Sequence, residues 1–225
     1  MLGTIVNTAA ILAGSTIGSV LKKGIKKEYQ DAMYTAMGLS AVGIGMNAVV
    51  SNMSDSRYPV LFIVSLAMGS LLGTVLDLDG RFQRMVNRHS DGNLGQGLAT
   101  AILMFCIGTL SILGPVQSAL EGDNTYLFTN ATLDFVTSMV LSSTYGIGIG
   151  LAALVLFLWQ GTIYLFASSL SGLFQNGLMT EFSIVGGFLI AASGMGILKI
   201  KDCKTRNMLP SLLVPPVFFL ICSLL

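Results

Sequence analysis

Charge is scarce in this sequence. Only 10% of its 225 residues are Asp, Glu, Lys or Arg, against about 25% in soluble domains, which excludes an ordinary water-facing globule. Histidine occurs once, at His89. With no HExxH, no GxSxG and no two acids inside one apolar segment, neither a metallohydrolase nor a serine hydrolase is assembled from these residues. A Ser-Lys pair would need a lysine inside the membrane, and no lysine lies in the interior of an apolar segment. Cys106, Cys203 and Cys222 form no CxxC spacing, so they read as packing residues and not as a disulfide framework or a metal set. No cofactor and no nucleic-acid partner are expected at a formal net charge of +1.

Apolar residues are abundant: 53% hydrophobic, with a mean hydropathy of +0.77. A membrane-spanning helix needs about 20 mostly apolar residues, and that rule picks out eight segments: 2–21, 32–50, 59–77, 97–120, 132–147, 150–168, 181–199 and 208–225. The fifth and sixth are divided at Tyr145 to Gly150, where three glycines weaken the helix. The expected fold is therefore all-α, a polytopic membrane helix bundle of about eight spans forming one integral domain over residues 1–225. Met1 leads directly into the first segment and Lys22, Lys23, Lys26 and Lys27 follow it, the reverse of a secretory signal, so this segment is expected to stay attached.

Charge placement supports the count. With the first loop in the cytoplasm, eleven of the twelve basic residues face inward and only Arg57 faces out, as the positive-inside rule requires. Both termini are then outside. The basic clusters read as topology rather than as lipid head-group sites. Residues 77–90 space Phe82, Met85 and Val86 as one apolar side of a short interfacial helix flanked by Arg81, Arg84 and Arg88, with His89 solvated beyond it.

Lipid offers helices no hydrophobic drive to associate, so close contact comes from small side chains. Ala10, Gly14 and Gly18, then Ser65, Gly69 and Gly73, then Gly187 and Ala191 recur every four residues. Each stripe reads chiefly as bundle packing or a homodimer face, and secondarily as the lining of a conduit. A homo-oligomer, with a dimer as the simplest case, is expected on this basis.

Polar residues within spans should face the bundle interior. The candidates for a substrate or ion path are Asn7, Asn47, Asp134, Ser138, Ser142 and Gln160, together with Gly114, Pro115 and Gln117. Asp134, Ser138 and Ser142 step by four along one helix side. Asp134 and Glu181 fall in the first turn of their expected helices, where a carboxylate complements the helix dipole and Thr132 or Thr180 serves as cap. That placement leaves no Asp, Glu, Lys, Arg or His in the central third of any span.

Residues 105–123 begin like a span, meet Gly114-Pro115 and end in Glu121 and Asp123. Two structures fit. A single kinked helix continues to Leu120, or a first helix stops at Gly114 and a second begins at Pro115, a favoured first position. In the second, backbone groups open inside the protein, as at the broken helices of transporters. Glu121 and Asp123 then mark an anionic outer surface that draws cations.

The stretches "GTIVNTAAILAGSTIGSVL", "GLSAVGIGMNA", "GTLSILGPVQSALEGD", "LWQGTIYLFA" and "GGFLIAASGMGILKI" with the following "NMLP" resemble the YqgA/YdfK-like bacterial membrane proteins, a domain-of-unknown-function family numbered 554. The likeness runs nearly end to end. It implies an all-helical protein of the bacterial cytoplasmic membrane and supplies no activity or site residues. Gly3 to Gly14 and Gly108 to Gly114 both open with Gly-Thr before an apolar stretch ending in Gly, on helices of opposite direction, a weak inverted repeat. The function expected is transport or conduction of a small ion or small polar solute. The alternatives are a non-transporting partner or sensor subunit and, behind it, an intramembrane enzyme.

Overall fold

The computed structural model describes residues 1–21, 25–88, 93–169 and 177–224, so Lys22, Lys23 and His89 lie outside the described residues, as do the side chains of Met85, Val86 and Arg88. Every described element is helical: α1 (Leu2–Val20), α2 (Lys27–Met53), α3 (Leu61–Val75), α4 (Leu78–Arg88), α5 (Asn93–Cys106), α6 (Thr109–Leu120), α7 (Thr125–Tyr145), α8 (Ala152–Ser169), α9 (Leu178–Ile197), α10 (Thr205–Met208) and α11 (Val214–Leu224). Single 3-10 turns at Ile147–Leu151 and Leu209–Leu213 lead into α8 and α11.

Five of these stretches are long and apolar enough to cross a membrane, and the bent pair α5 and α6 makes a sixth among the described residues. All eight segments expected from the sequence are helical, but two fall short of that test. The 15 residues of α3 reach about 22 Å at 1.5 Å per residue, less than the hydrocarbon thickness of about 30 Å. α7 is long enough at 21 residues but carries Asn130, Asp134, Thr137, Ser138 and Ser142, all buried.

The chain divides into two compact units, each drawn from two stretches: Met1–Tyr34 with Phe82–Ser169, and Thr35–Arg81 with Leu170–Leu225. In the first unit α1 lies along α7. A Cβ at Gly18 would come within 2.9 Å of the Met139 Cα and carbonyl carbon, and one at Gly14 would press on the Phe135 carbonyl and the Ser138 hydroxyl. The small-residue stripe of α1 is therefore a packing seam, closed by α7, and does not line a conduit. Below it Ile11, Ala101, Phe105, Ile149, Ala152 and Leu156 form a buried apolar cluster.

α7 starts well before the sequence reading placed it. Asp123 accepts the Thr125 N–H at 2.9 Å and the Thr125 hydroxyl at 2.7 Å, which satisfies an amide the helix start leaves open. Asn124 ties the start of α1 and the end of α6 to the same corner, its Oδ1 accepting the Gly3 N–H at 3.2 Å and the Ser118 hydroxyl at 2.8 Å. Thr132, expected as the cap, is inside the helix and donates to the Phe128 carbonyl. Asp123→Ala should lower stability by about 1 kcal/mol. Read as a fall in Tm of roughly 2–4 °C in detergent, a wild-type melting curve for this variant would remove Asp123 from the capping role.

At the other end Gly146 takes φ +89°, a conformation glycine adopts without strain, and α7 gives way to the 3-10 turn at Ile147. The glycine-rich division expected between residues 132–147 and 150–168 is where the chain breaks.

In the second unit α9 is buried on most sides, with Ile184, Val185, Leu189 and Ile190 almost wholly covered. α2 crosses it at glycine: a Cβ at Gly187 would sit 2.9 Å from Val49 Cγ2, and one at Gly194 2.7 Å from the Val42 amide nitrogen. The Gly69 and Gly73 side of α3 is closed by the backbone of Ser211 and Asn207. Phe62 stacks on Phe188 at 5.1 Å, and Tyr58 meets Phe218 edge-on at 4.9 Å. α4 is held at its start by Asn207 Oδ1, which accepts the Asp79 N–H at 2.8 Å, and by the Arg206–Asp79 ion pair.

Candidate functional site

The break in the 97–120 segment is not at Gly114-Pro115. α5 ends at Cys106, Gly108 is extended (φ −74°, ψ 146°), and α6 starts at Thr109, bent by 44° from the helix before the break. Pro115 lies inside α6. Gly114 is there for contact: an added Cβ would fall 2.9 Å from Leu127 Cγ and Cδ2 of α7. Pro115 acts on Ser111 one turn earlier, because it lacks the N–H that the Ser111 carbonyl would accept in a regular helix.

Ser111 is fully buried, and around it the first unit assembles a polar interior from four helices. The Ser111 hydroxyl accepts Gln160 Nε2 of α8 at 3.1 Å and Asn130 Nδ2 of α7 at 3.5 Å. Asn130 Nδ2 also donates to Asp134 Oδ2 at 2.8 Å, and Asn7 Nδ2 of α1 donates to the same oxygen at 3.0 Å. Asn7 and Gln160 have no exposed surface, and Asp134 is 5% exposed.

Asp134 therefore stands near the middle of α7 and not in a first turn, which corrects both its expected capping role and the expected absence of an ionisable group from the middle of a helix. The error came from the helix start: Asn130 and the threonines before it looked too polar for a span, yet they belong to it. Asn130 is one turn before Asp134 on the side that carries Ser138 and Ser142, and extending that four-residue step backwards finds it. Ser111 was legible only as the residue four before a proline.

Two carboxamide oxygens of this network have no hydrogen-bond partner, Asn7 Oδ1 and Gln160 Oε1, both inaccessible; Gln117 Oε1 of α6 and Thr4 Oγ1 of α1 are likewise buried and unpaired. Of the expected path residues, the structure brings Asn7, Asp134 and Gln160 into one network. Ser138 and Ser142 belong to the α1–α7 seam instead: Ser138 donates to the Phe135 carbonyl at 2.9 Å, and Ser142 lies 2.7 Å from the Ser15 carbonyl. Asn47 is exposed on α2, so it does not face a bundle interior.

Glu181 of the second unit is in the first turn of α9, as expected, but Thr180 does not cap it, since the helix follows Gly177 in a left-handed conformation. The carboxylate instead binds the loop before α3, accepting the Ser56 hydroxyl at 2.7 Å and the Tyr58 N–H at 3.0 Å. It serves as a clasp for that loop. Glu121 is exposed, and Asp123 is engaged at the start of α7.

The distribution of side chains is the reverse of a soluble protein's. Leu12 and Ile17 of α1, Leu71 and Leu72 of α3, and Leu158 and Phe166 of α8 point outward, while Asn7, Ser111, Asp134 and Gln160 point inward. Outward apolar faces, on helices that include several of spanning length, with hydrogen-bonding groups enclosed, define a polytopic α-helical membrane protein. The chain belongs to the family described as protein of unknown function (DUF554), which matches residues 2–220. It is 58% identical over 217 residues to the uncharacterized membrane protein YdfK of Bacillus subtilis (strain 168), covering 96% of this chain and 95% of that protein. It is 27% identical over 225 residues to the uncharacterized protein YqgA of Escherichia coli (strain K12), covering 95% and 94%. No solved structure matches.

Proposed function

We propose that the protein moves a small ion or small polar solute across the bacterial cytoplasmic membrane through the interior of its first unit. One observation carries this reading: a carboxylate near the middle of α7, held by the amides of Asn7 and Asn130, in a buried network whose Asn7 and Gln160 carboxamide oxygens are unpaired. A structural hydrogen-bond network in hydrocarbon pairs its members, because an unpaired buried polar group costs about 1–3 kcal/mol. Unpaired groups in the enclosed core of a membrane bundle mark a binding function. The broken α5–α6 pair beside them is the kind of irregular backbone that transporters use at their sites. Lys26, Lys27, Arg81, Arg84, Lys199, Lys201, Lys204 and Arg206 support an orientation with both chain ends outside.

Reconstitution of the pure protein in proteoliposomes tests the reading. Flux of at least one cation, amino acid or small organic acid is expected, reduced about tenfold or more by Gln160→Ala, since loss of a polar contact in the site is worth about 1.4 kcal/mol or more. If nothing in such a screen moves, and Gln160→Ala has no effect in cells, the transport reading is to be abandoned for a partner or sensor subunit.

A further inference from the structure

We infer that Asp134, Asn7, Asn130, Ser111 and Gln160 form a binding site for one dehydrated monovalent alkali cation. The inference rests on the transport reading of the same interior and names its substrate class or coupling ion.

The donor set decides the chemistry. Asp134 supplies one negative charge, and its hydrogen-bond partners are two side-chain amides. Among the described residues, α1, α6 and α8 contribute no charged side chain to this unit. A carboxylate so enclosed keeps its charge only beside a compensating cation. One monovalent ion makes the site neutral, whereas a divalent ion would leave a positive charge in a medium of low dielectric constant. Among the described residues no three of His, Cys, Asp and Glu come together, so the ligands are hard oxygens, which suit alkali ions and not zinc or copper.

The unpaired atoms point the same way. Every carboxamide that faces Asp134 or Ser111 presents its nitrogen, and the oxygens of Asn7 and Gln160 are left without partners. Nitrogen inward is the arrangement a carboxylate, which only accepts, imposes on the amides beside it when no cation is between them. Rotation of these amides by a half-turn puts Asn7 Oδ1, Asn130 Oδ1 and Gln160 Oε1 on the inside without moving a helix. Together with Asp134 and the Ser111 hydroxyl, they replace a hydration shell, as backbone and side-chain oxygens do in ion-selective proteins.

Binding is measurable without flux. The full-length protein in detergent is titrated with LiCl, NaCl, KCl or RbCl at constant ionic strength set by choline chloride, and its melting temperature is followed. At least one alkali cation should raise Tm by roughly 5 °C or more at about 100 times its dissociation constant. Asp134→Asn should abolish that rise, whereas Glu121→Gln, the same charge change at an exposed position, should retain it. Isothermal titration with the saturating salt supplies the stoichiometry, expected to be one per chain. A melting temperature indifferent to all four cations, or an equal response in Asp134→Asn, overturns the site. Flux of some solute that ignores alkali cations and survives Asp134→Asn also overturns it, while leaving transport in place. Saturable cation binding with no flux of any solute keeps the site and removes the transport reading.

Discussion

Asp134→Asn is expected to abolish transport, lowering flux about 100-fold or more, and at the same time to leave the protein as stable as the wild type or more stable. The two halves have one cause. In the absence of a cation the wild-type Asp134 either stays charged against two amide donors, with no opposite charge in its hydrogen-bond set, or is neutralised by a proton, and neither state is better accommodated than a neutral side chain of the same shape. Enclosing an uncompensated charge costs several kcal/mol even after relaxation. An asparagine at position 134 has the same shape and no charge. Its carbonyl oxygen can still accept the Asn7 and Asn130 amides that Asp134 Oδ2 accepts, so the network keeps its bonds and loses only the charge. A residue retained for packing would behave in the opposite way, since cutting one partner out of a structural buried network typically destabilises by about 1–3 kcal/mol. Stability gained where activity is lost is the signature of a site that carries strain for function. The measurement is a paired one, Tm in cation-free detergent and initial flux in proteoliposomes on the same preparation. A large drop in Tm with flux scaled to the amount of folded protein would reassign Asp134 to structure.

Gly73→Ala should be among the most damaging single-methyl substitutions in the chain. Alanine is the better helix former by about 1 kcal/mol, so on an isolated helix this change would stabilise. Here the new Cβ falls 2.6 Å from the Asn207 carbonyl carbon and 2.8 Å from its Cα, against about 3.5–4.0 Å for carbon atoms in contact. The obstacle is backbone, which cannot rotate away, so the residues that start the last span must move off α3 by about 1 Å. Overpacking of this kind costs about 1–3 kcal/mol, sometimes more. It would also pull on Asn207 and Arg206, the residues that hold α4. A net loss of about 2 kcal/mol, or roughly 4–8 °C in Tm, is expected. Gly43→Ala on α2, where an added Cβ meets nothing within 4 Å, should be neutral or slightly stabilising. Equal melting curves for the two variants would show that the α3 seam is not the close contact described here.

The small-residue stripes were legible because a helix repeats about every four residues and lipid leaves little but close approach to hold helices together. Their partners were not. Gly14 and Gly18 meet α7, which begins 107 residues after Gly18, and nothing local to α1 selects that helix. The glycine division at 145–150 was legible for a local reason, since Gly146 takes a backbone angle that other residues avoid. Gly114-Pro115 was a local signal that misled. A proline inside a helix removes one donor, and α6 accommodates this by remaining helical through Pro115, while the bend falls instead at Gly108. The start of α7 was missed because the polar stretch around Asn130 looks unfit for a membrane until the groups that receive Asn130, Ser111 from α6 and Asp134 one turn on, are known.

By itself the sequence determined that this is a multi-spanning helical membrane protein, because the scarcity of charge, the length of the apolar runs and the clustering of lysine and arginine between those runs are properties of the chain that the bilayer reads directly. Only the tertiary structure decided which polar residues act together. A carboxylate in hydrocarbon is tolerable according to what surrounds it in space, and Asn7, Ser111, Asn130, Asp134 and Gln160 are brought together by the packing of α1 against three helices that begin about 90 or more residues later in the chain.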